Sequence, residues 1–167
     1  MTHPGRSVGE HDRMANLVLL SQLAVTWFLA GLIWTIQVVH YPLFAAVGED
    51  RFVAYETSHA RLITLVVGPA MLLEVALAGL FLTIRPAAVP AWVAWVGAGL
   101  VGIIWLSTAL IQVPAHGRLA DGFDASTHAL LVGSNWIRTL AWSARALLLA
   151  WAAWLVIAGA TGGRDLP

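Results

Sequence analysis

Four uninterrupted apolar runs govern what this chain can fold into. They cover approximately Leu17–Val39, Leu62–Ile84, Ala91–Val113 and Trp136–Ala158. At about 23 residues each, a helical run reaches roughly 34 Å, enough for a hydrocarbon core of about 30 Å. Inside lipid a segment must satisfy its own backbone hydrogen bonds, and helix is the only open-ended element that does so. The sequence therefore predicts an all-α fold, an integral membrane four-helix bundle. A polar tail (1–16) precedes the transmembrane domain (17–159), and a short tail (160–167) follows it.

Composition agrees. Only 11% of residues are charged and 59% are apolar, whereas a soluble domain carries about 25% charged residues to cover its surface. The absence of cysteine excludes disulfides, thiolate metal sites and thiol nucleophiles. All nine basic residues are arginine. They form no basic run of the nucleic-acid-binding kind, and no P-loop or dinucleotide fingerprint occurs.

The first run is too long for a signal-peptide core and lacks a small-residue cleavage site, so it is expected to remain as an anchor. Arg85, Pro86 and Pro90 make the second connection a tight turn. The third connection, Pro114 to Asn135, reads as a longer loop. Within it Asp124 caps a short helix from Ala125 to Val132, broken at Gly133-Ser134. Four spans return both termini to one side, with Arg6, Arg13, Arg85 and Arg164 there against Arg51, Arg61 and Arg118 opposite. This bias favours cytoplasmic termini in a bacterial inner membrane.

One order of residues occurs twice. Ile36-Gln37-Val38 is followed by His40, Asp50-Arg51-Phe52 and Ser58-His59-Ala60-Arg61-Leu62. Ile111-Gln112-Val113 is followed by His116, Asp121-Gly122-Phe123 and Thr127-His128-Ala129-Leu130-Leu131. Either the chain is two duplicated helix hairpins related by an axis along the membrane normal, or the match is chance in a chain rich in Leu, Ala and Val. In both cases His40, His59, His116 and His128 gather at one end of the bundle, with His3 and His11 at the other.

Polar residues recur at helical spacing, which sets them on single faces. These stripes are Trp34, Gln37, His40 and Tyr41; Glu56, His59 and Glu74; Trp105, Thr108, Gln112 and His116; and Asn135, Arg138, Trp142 and Arg145, with Thr139 alongside. Polar side chains in lipid turn inward, so together the stripes describe a polar cavity. Glu74 and Arg145 fall near the midplane, as an ion pair locking two helices or as a proton relay or anion site. Arg138 either snorkels to water or clamps a carboxylate or propionate.

Glu56 and His59 form Glu-x-x-His, the spacing that di-iron bundles project inward. Imidazole suits zinc, copper, iron and nickel, so the four histidines are candidates to hold one or two metals or the axial positions of a haem. The alternative for each is an interfacial hydrogen bond to headgroups. Trp34, Trp105 and Trp142 could wall a flat ligand or simply pack, while Trp92, Trp95 and Trp154 fit interface anchoring.

From Trp27-Phe28-Leu29-Ala30-Gly31-Leu32 through His40-Tyr41, the first helix resembles the opening of bacterial four-helix membrane families. These include the membrane-type, haem-binding protoporphyrinogen oxidase and the CopD-type copper proteins; the chain as a whole looks like a small bacterial integral membrane family. The resemblance implies haem or a transition metal, iron or copper.

The resulting expectation is a metal- or haem-binding membrane protein, an oxidoreductase acting on a hydrophobic substrate or quinone. His40, His59, His116 and His128 would be its ligands, and Glu56, Glu74 and Arg145 its catalytic groups. Trp34, Gln37, Trp105, Gln112, Asn135, Arg138 and Trp142 would line the cofactor, with Gln37 and Gln112 orienting ligands. The rivals are a non-enzymatic subunit of a larger membrane complex or homo-oligomer, and a small-molecule or proton carrier.

Overall fold

A computed structural model describes residues 4–162, with side chains from 9 to 161. Four helices are long and apolar enough to cross a membrane: α1 (Gly9–Ala46), α2 (Glu49–Thr83), α3 (Ala91–Leu119) and α4 (Ala125–Thr161). No strand occurs among the described residues. The first helix already begins at Pro4 and the last runs on to Gly162, so the expected tails are helical wherever they are described. His3, Arg164 and the side chain of Arg6 lie outside the described residues.

The helices outrun their apolar cores. With 35 residues, α2 is about 52 Å long at the helical rise, so its first turns stand beyond a hydrocarbon layer of about 30 Å. Only Val47 and Gly48 separate α1 from α2, and Gly48 has φ 79°, where a Cβ is disfavoured. The expected tight turn after α2 is present. Arg85 itself fastens it, donating from Nη1 to the Leu82 carbonyl (3.2 Å) and from Nε to that of Val89 (3.3 Å).

The third connection differs from the expectation. Helix α3 continues past Pro114 to Leu119, and α4 runs unbroken through Gly133-Ser134. Only residues 120–124 form the turn. Pro114 is tolerated because a π-turn (Thr108–Gln112) precedes it and leaves the proline in the first turn of the following α-helical piece, where its missing N–H costs nothing. An interior glycine costs only about 1 kcal/mol, and packing at Leu131 and Asn135 on either side holds the helix. Asp124 caps as expected, though the helix is α4 itself. Its Oδ1 accepts from Ser126 Oγ (2.6 Å) and the Thr127 amide (2.7 Å). Those bonds, the hydroxyl first, hold its carboxyl at about 2, below the usual carboxylate range.

The helices pack as a ring, each on its chain neighbours and α4 back on α1. Apolar burial drives little between helices already in lipid, so packing and polar contacts must hold the ring. One knot draws on all four helices. Glu74 Oε1 accepts from Thr26 Oγ1 (2.8 Å) and Arg145 Nε (3.1 Å), and its Oε2 accepts from Trp142 Nε1 (2.9 Å). Arg145 also donates to the Gly97 carbonyl (2.8 Å) and to Gln22 Oε1 (2.5 Å). The expected Glu74–Arg145 pair is thus formed, and both residues are buried.

The buried seam has a regular step and one shared interruption. On α1 it falls at Ala15, Gln22, Leu29 and Ile36, seven apart, and then jumps eight to Phe44. On α3 it falls at Gly97 and Ile104, jumps eight to Gln112, then seven to Leu119. Each jump spans a π-turn, Ile36–His40 or Thr108–Gln112, and each π-turn has a proline two residues beyond it, Pro42 or Pro114. A π-turn adds one residue to a helix. The inserted residue is what carries Tyr41 and Phe44, rather than Leu43, to the inside.

Candidate functional site

At the end of the bundle that carries the Val47–Gly48 turn, α1, α2 and α3 converge on Tyr41. Its hydroxyl shares a hydrogen bond with His116 Nε2 (2.9 Å), and His116 Nδ1 shares one with Glu56 Oε1 (2.5 Å). His116 thus bridges a phenol and a carboxylate, one at each ring nitrogen. His40 Nε2 and His59 Nδ1 share a second hydrogen bond at 2.8 Å, and the rings of His59 and His116 lie 5.4 Å apart. Phe44 sits among them, 5.0 Å from His59 and 6.3 Å from His116. Glu56 is fully buried. Its Oε2 and His59 Nε2 have no hydrogen-bond partner.

Three of the four expected histidines therefore meet. The fourth, His128, takes another part: its Nε2–H donates to the Tyr41 carbonyl (2.8 Å) and its ring stacks on Phe44 (6.3 Å, 25°), tying α4 to the end of α1. Among the described residues, no group of three or more histidine or acidic side chains is disposed to hold a metal ion. Both nitrogens of His116 are committed to hydrogen bonds, as is one on each of the other rings.

Beside this cluster lies a cavity of about 310 Å³ in the seam between α2 and α3. Ile63, Val67, Met71 and Leu72 give it an apolar wall, and Tyr41, Trp105, Gln112, His116 and Arg138 a polar one. Local sequence explains its place. Pro69 removes one backbone hydrogen bond from α2, and Gly68 on the cavity wall leaves a gap in which an added Cβ would meet only Thr64 Cγ2, at 3.7 Å.

The other expected site residues are divided. Trp105 and Arg138 reach the cavity, and Arg138 is buried rather than snorkelling. Gln112 lines it too, but its amide is spent on Ser134 Oγ (3.1 Å), while its carbonyl accepts from Ser107 Oγ (3.0 Å). Gln37 grips α4, donating to the Val132 carbonyl (3.1 Å) and accepting from Asn135 Nδ2 (2.9 Å) and Thr139 Oγ1 (3.5 Å). Neither glutamine orients a histidine, because α4 offers nearer partners. Asn135 serves that grip and is not on the cavity wall.

Trp34 stands outside, 43% exposed on the α1–α4 seam, where its Nε1 donates to Ser143 Oγ (3.0 Å). Trp142, Glu74 and Arg145 belong to the knot. Glu74 lies 18 residues beyond Glu56, about 27 Å along α2, and neither it nor Arg145 lines the cavity.

Sequence reasoning did not weigh Phe44, Gly68 or Met71 as site residues, and it passed over Gln22 and Thr26. The last two carried a usable signal, a polar pair at i and i+4 inside an apolar run. Searches with this chain match no family model, no curated protein and no solved structure.

Proposed function

We propose that this multi-pass membrane protein binds a lipid-soluble small molecule in the cleft between α2 and α3 and exchanges protons with it through Tyr41, His116 and Glu56. The observation that carries this is the phenol–imidazole–carboxylate chain ending on the wall of a cavity whose other wall is apolar. Clefts of about 300–1,000 Å³ with a few convergent polar groups are the usual form of small-molecule sites. A histidine between a donor and an acceptor passes a proton by taking one at a nitrogen and releasing one at the other. Proton exchange of this kind serves an oxidoreductase on a quinone-like substrate and a proton-coupled carrier alike. We place the protein in a bacterial inner membrane with cytoplasmic termini, on the arginine bias.

The expected haem or metal fits the donor set incompletely. Glu56 Oε2 and His59 Nε2 are the buried donors left over among the site's carboxylate and imidazole groups, where a catalytic metal takes three protein ligands.

The experiment is solvent extraction and mass spectrometry of the detergent-purified protein, with elemental analysis and a visible spectrum of the same sample. The wild type is expected to yield a near-stoichiometric lipid-soluble compound that Gly68→Trp, with its helicity checked by circular dichroism, no longer retains. Identical extracts from both proteins would remove the cleft from the proposal, and stoichiometric metal would replace the relay by a metal centre.

A further inference from the structure

Arg138 lies beside the Tyr41 phenol, and it is the most costly group on the cavity wall. It is 5% exposed, and a guanidinium stays charged under all conditions a protein meets. Buried cations are normally matched by carboxylates. The two buried carboxylates of the bundle are already taken, Glu74 by Arg145 and Glu56 by His116, and no acidic side chain among the described residues lies within 4.0 Å of Arg138. The Trp142 ring, 5.2 Å from its guanidinium carbon, offers a π-face but no hydrogen-bond acceptor. Nε–H of Arg138 is buried without a partner.

A second donor on the same cavity shares that condition. Trp105 Nε1–H is buried and unpartnered, and an indole can only donate. Two residues that each carry a buried donor without an acceptor, one of them cationic, thus line a cavity whose α2 wall is the apolar Ile63, Val67, Met71 and Leu72. Native proteins leave few such groups unmatched.

We infer that the cavity takes an anionic amphiphile, an oxyanion head paired with Arg138 and Trp105 on an apolar chain that runs along the α2–α3 seam into the bilayer. The inference rests on the small-molecule cleft proposed above and names the chemistry of its ligand. A planar fork of N–H donors suits carboxylate and phosphate oxygens equally, so a free fatty acid and an anionic lipid headgroup share the required chemistry.

The test uses the full chain in phosphatidylcholine nanodiscs at pH 8, titrated with cis-parinaric acid and, separately, with its methyl ester. Energy transfer from tryptophan to the polyene reports binding. Saturable binding of the acid is expected, with the ester at least tenfold weaker, a difference of about 1.4 kcal/mol. Arg138→Gln should bring the acid down to the ester's level, and Arg138→Lys, which keeps the charge without the fork, should fall between. Discs doped with phosphatidylglycerol separate the two sources: displacement of the acid assigns the site to a lipid headgroup, undisturbed binding to a free acid.

Equal saturable binding of acid and ester to the wild type overturns the oxyanion inference and leaves the cleft standing. That comparison needs no variant to fold. Transfer that rises without saturation for both probes overturns the cleft as well.

Discussion

Removing Glu74 alone should be more damaging than removing both partners of the Glu74–Arg145 pair. In the native knot the carboxylate accepts three hydrogen bonds, and the guanidinium donates three, one of them to Glu74. Arg145→Met takes away the counter-charge but leaves Glu74 its bonds from Thr26 and Trp142. A carboxyl group can also neutralise itself by taking up a proton. Glu74→Met leaves a guanidinium that still reaches the Gly97 carbonyl and Gln22 but cannot lose its charge.

Breaking a buried pair costs about 3–5 kcal/mol, whereas replacing both partners with apolar groups of similar volume is often close to neutral. We therefore expect Glu74→Met to cost about 3–5 kcal/mol and Arg145→Met less. The double substitution should recover about 2 kcal/mol or more relative to Glu74→Met alone. Equilibrium unfolding in mixed micelles with increasing sodium dodecyl sulfate, followed by far-ultraviolet circular dichroism, measures all four corners of the cycle. If the double variant loses the sum of the two single losses to within about 0.5 kcal/mol, the residues are energetically independent, and the knot does not hold the bundle as described.

Other perturbations test separate parts of the structure. Gly97→Ala places a Cβ 2.8 Å from Arg145 Nη1 and should cost about 1–3 kcal/mol by overpacking. Gly102→Ala has no neighbour within 4 Å and should be neutral or stabilising by up to about 1 kcal/mol; the same unfolding assay compares them. Gln37→Leu removes the grip on Val132, Asn135 and Thr139 and should cost about 1–2 kcal/mol, since polar contacts between membrane helices average about 0.6 kcal/mol each. Asp124→Ala should lower amide protection at the start of α4, read by hydrogen exchange. Because the Asp124 carboxyl is held low, at about 2, its capping contribution is full above the unperturbed value of about 3.9 and fades as pH falls towards 2, where variant and wild type should converge. Deleting Ala109 closes the π-turn but keeps Gln112 and Leu119 in a step of seven from Ile104, so the fold should survive it better than deletion of Gly99, which shifts the seam. Comparable losses from both deletions would separate the π-turn from the eight-residue step.

The helices, their number and their inward stripes were legible because hydropathy and 3.6-residue spacing are local properties. What sequence spacing could not supply was how far each helix continues past the lipid. Pro114 and Gly133-Ser134 look like breaks only if the preceding turn is an ordinary α-turn and the flanking residues are unpacked, and neither condition holds. The gathering of His40, His59 and His116 was legible because three helix ends at one rim must meet. The side excursion of His128 to the Tyr41 carbonyl depends on where Tyr41 falls, which the π-turn just before it sets by its extra residue. Counting from Gln37 with a regular period sets Trp34 on the inner face; the actual seam runs through Ile33 and Ile36, which leaves Trp34 on the outer edge.

The two buried polar clusters differ in how completely they are satisfied, and this difference separates scaffold from site. In the knot every oxygen of Glu74 and every nitrogen of Arg145 has a partner, and only Gln22 Nε2 is left over. In the other half of the bundle Glu56 Oε2, His59 Nε2, Trp105 Nε1, Asn135 Oδ1 and Arg138 Nε are all buried and unpaired among the described residues. Each such group costs about 1–3 kcal/mol, and more when charged. A bundle that needed polar contacts only as glue would have closed both halves as it closed the knot. Three of the five belong to residues that touch the α2–α3 cavity or the proton chain ending on it, namely Glu56, Trp105 and Arg138. An unpaired donor beside a cavity costs least when something with an acceptor enters that cavity, so the pattern of unsatisfied groups supports the proposed ligand site.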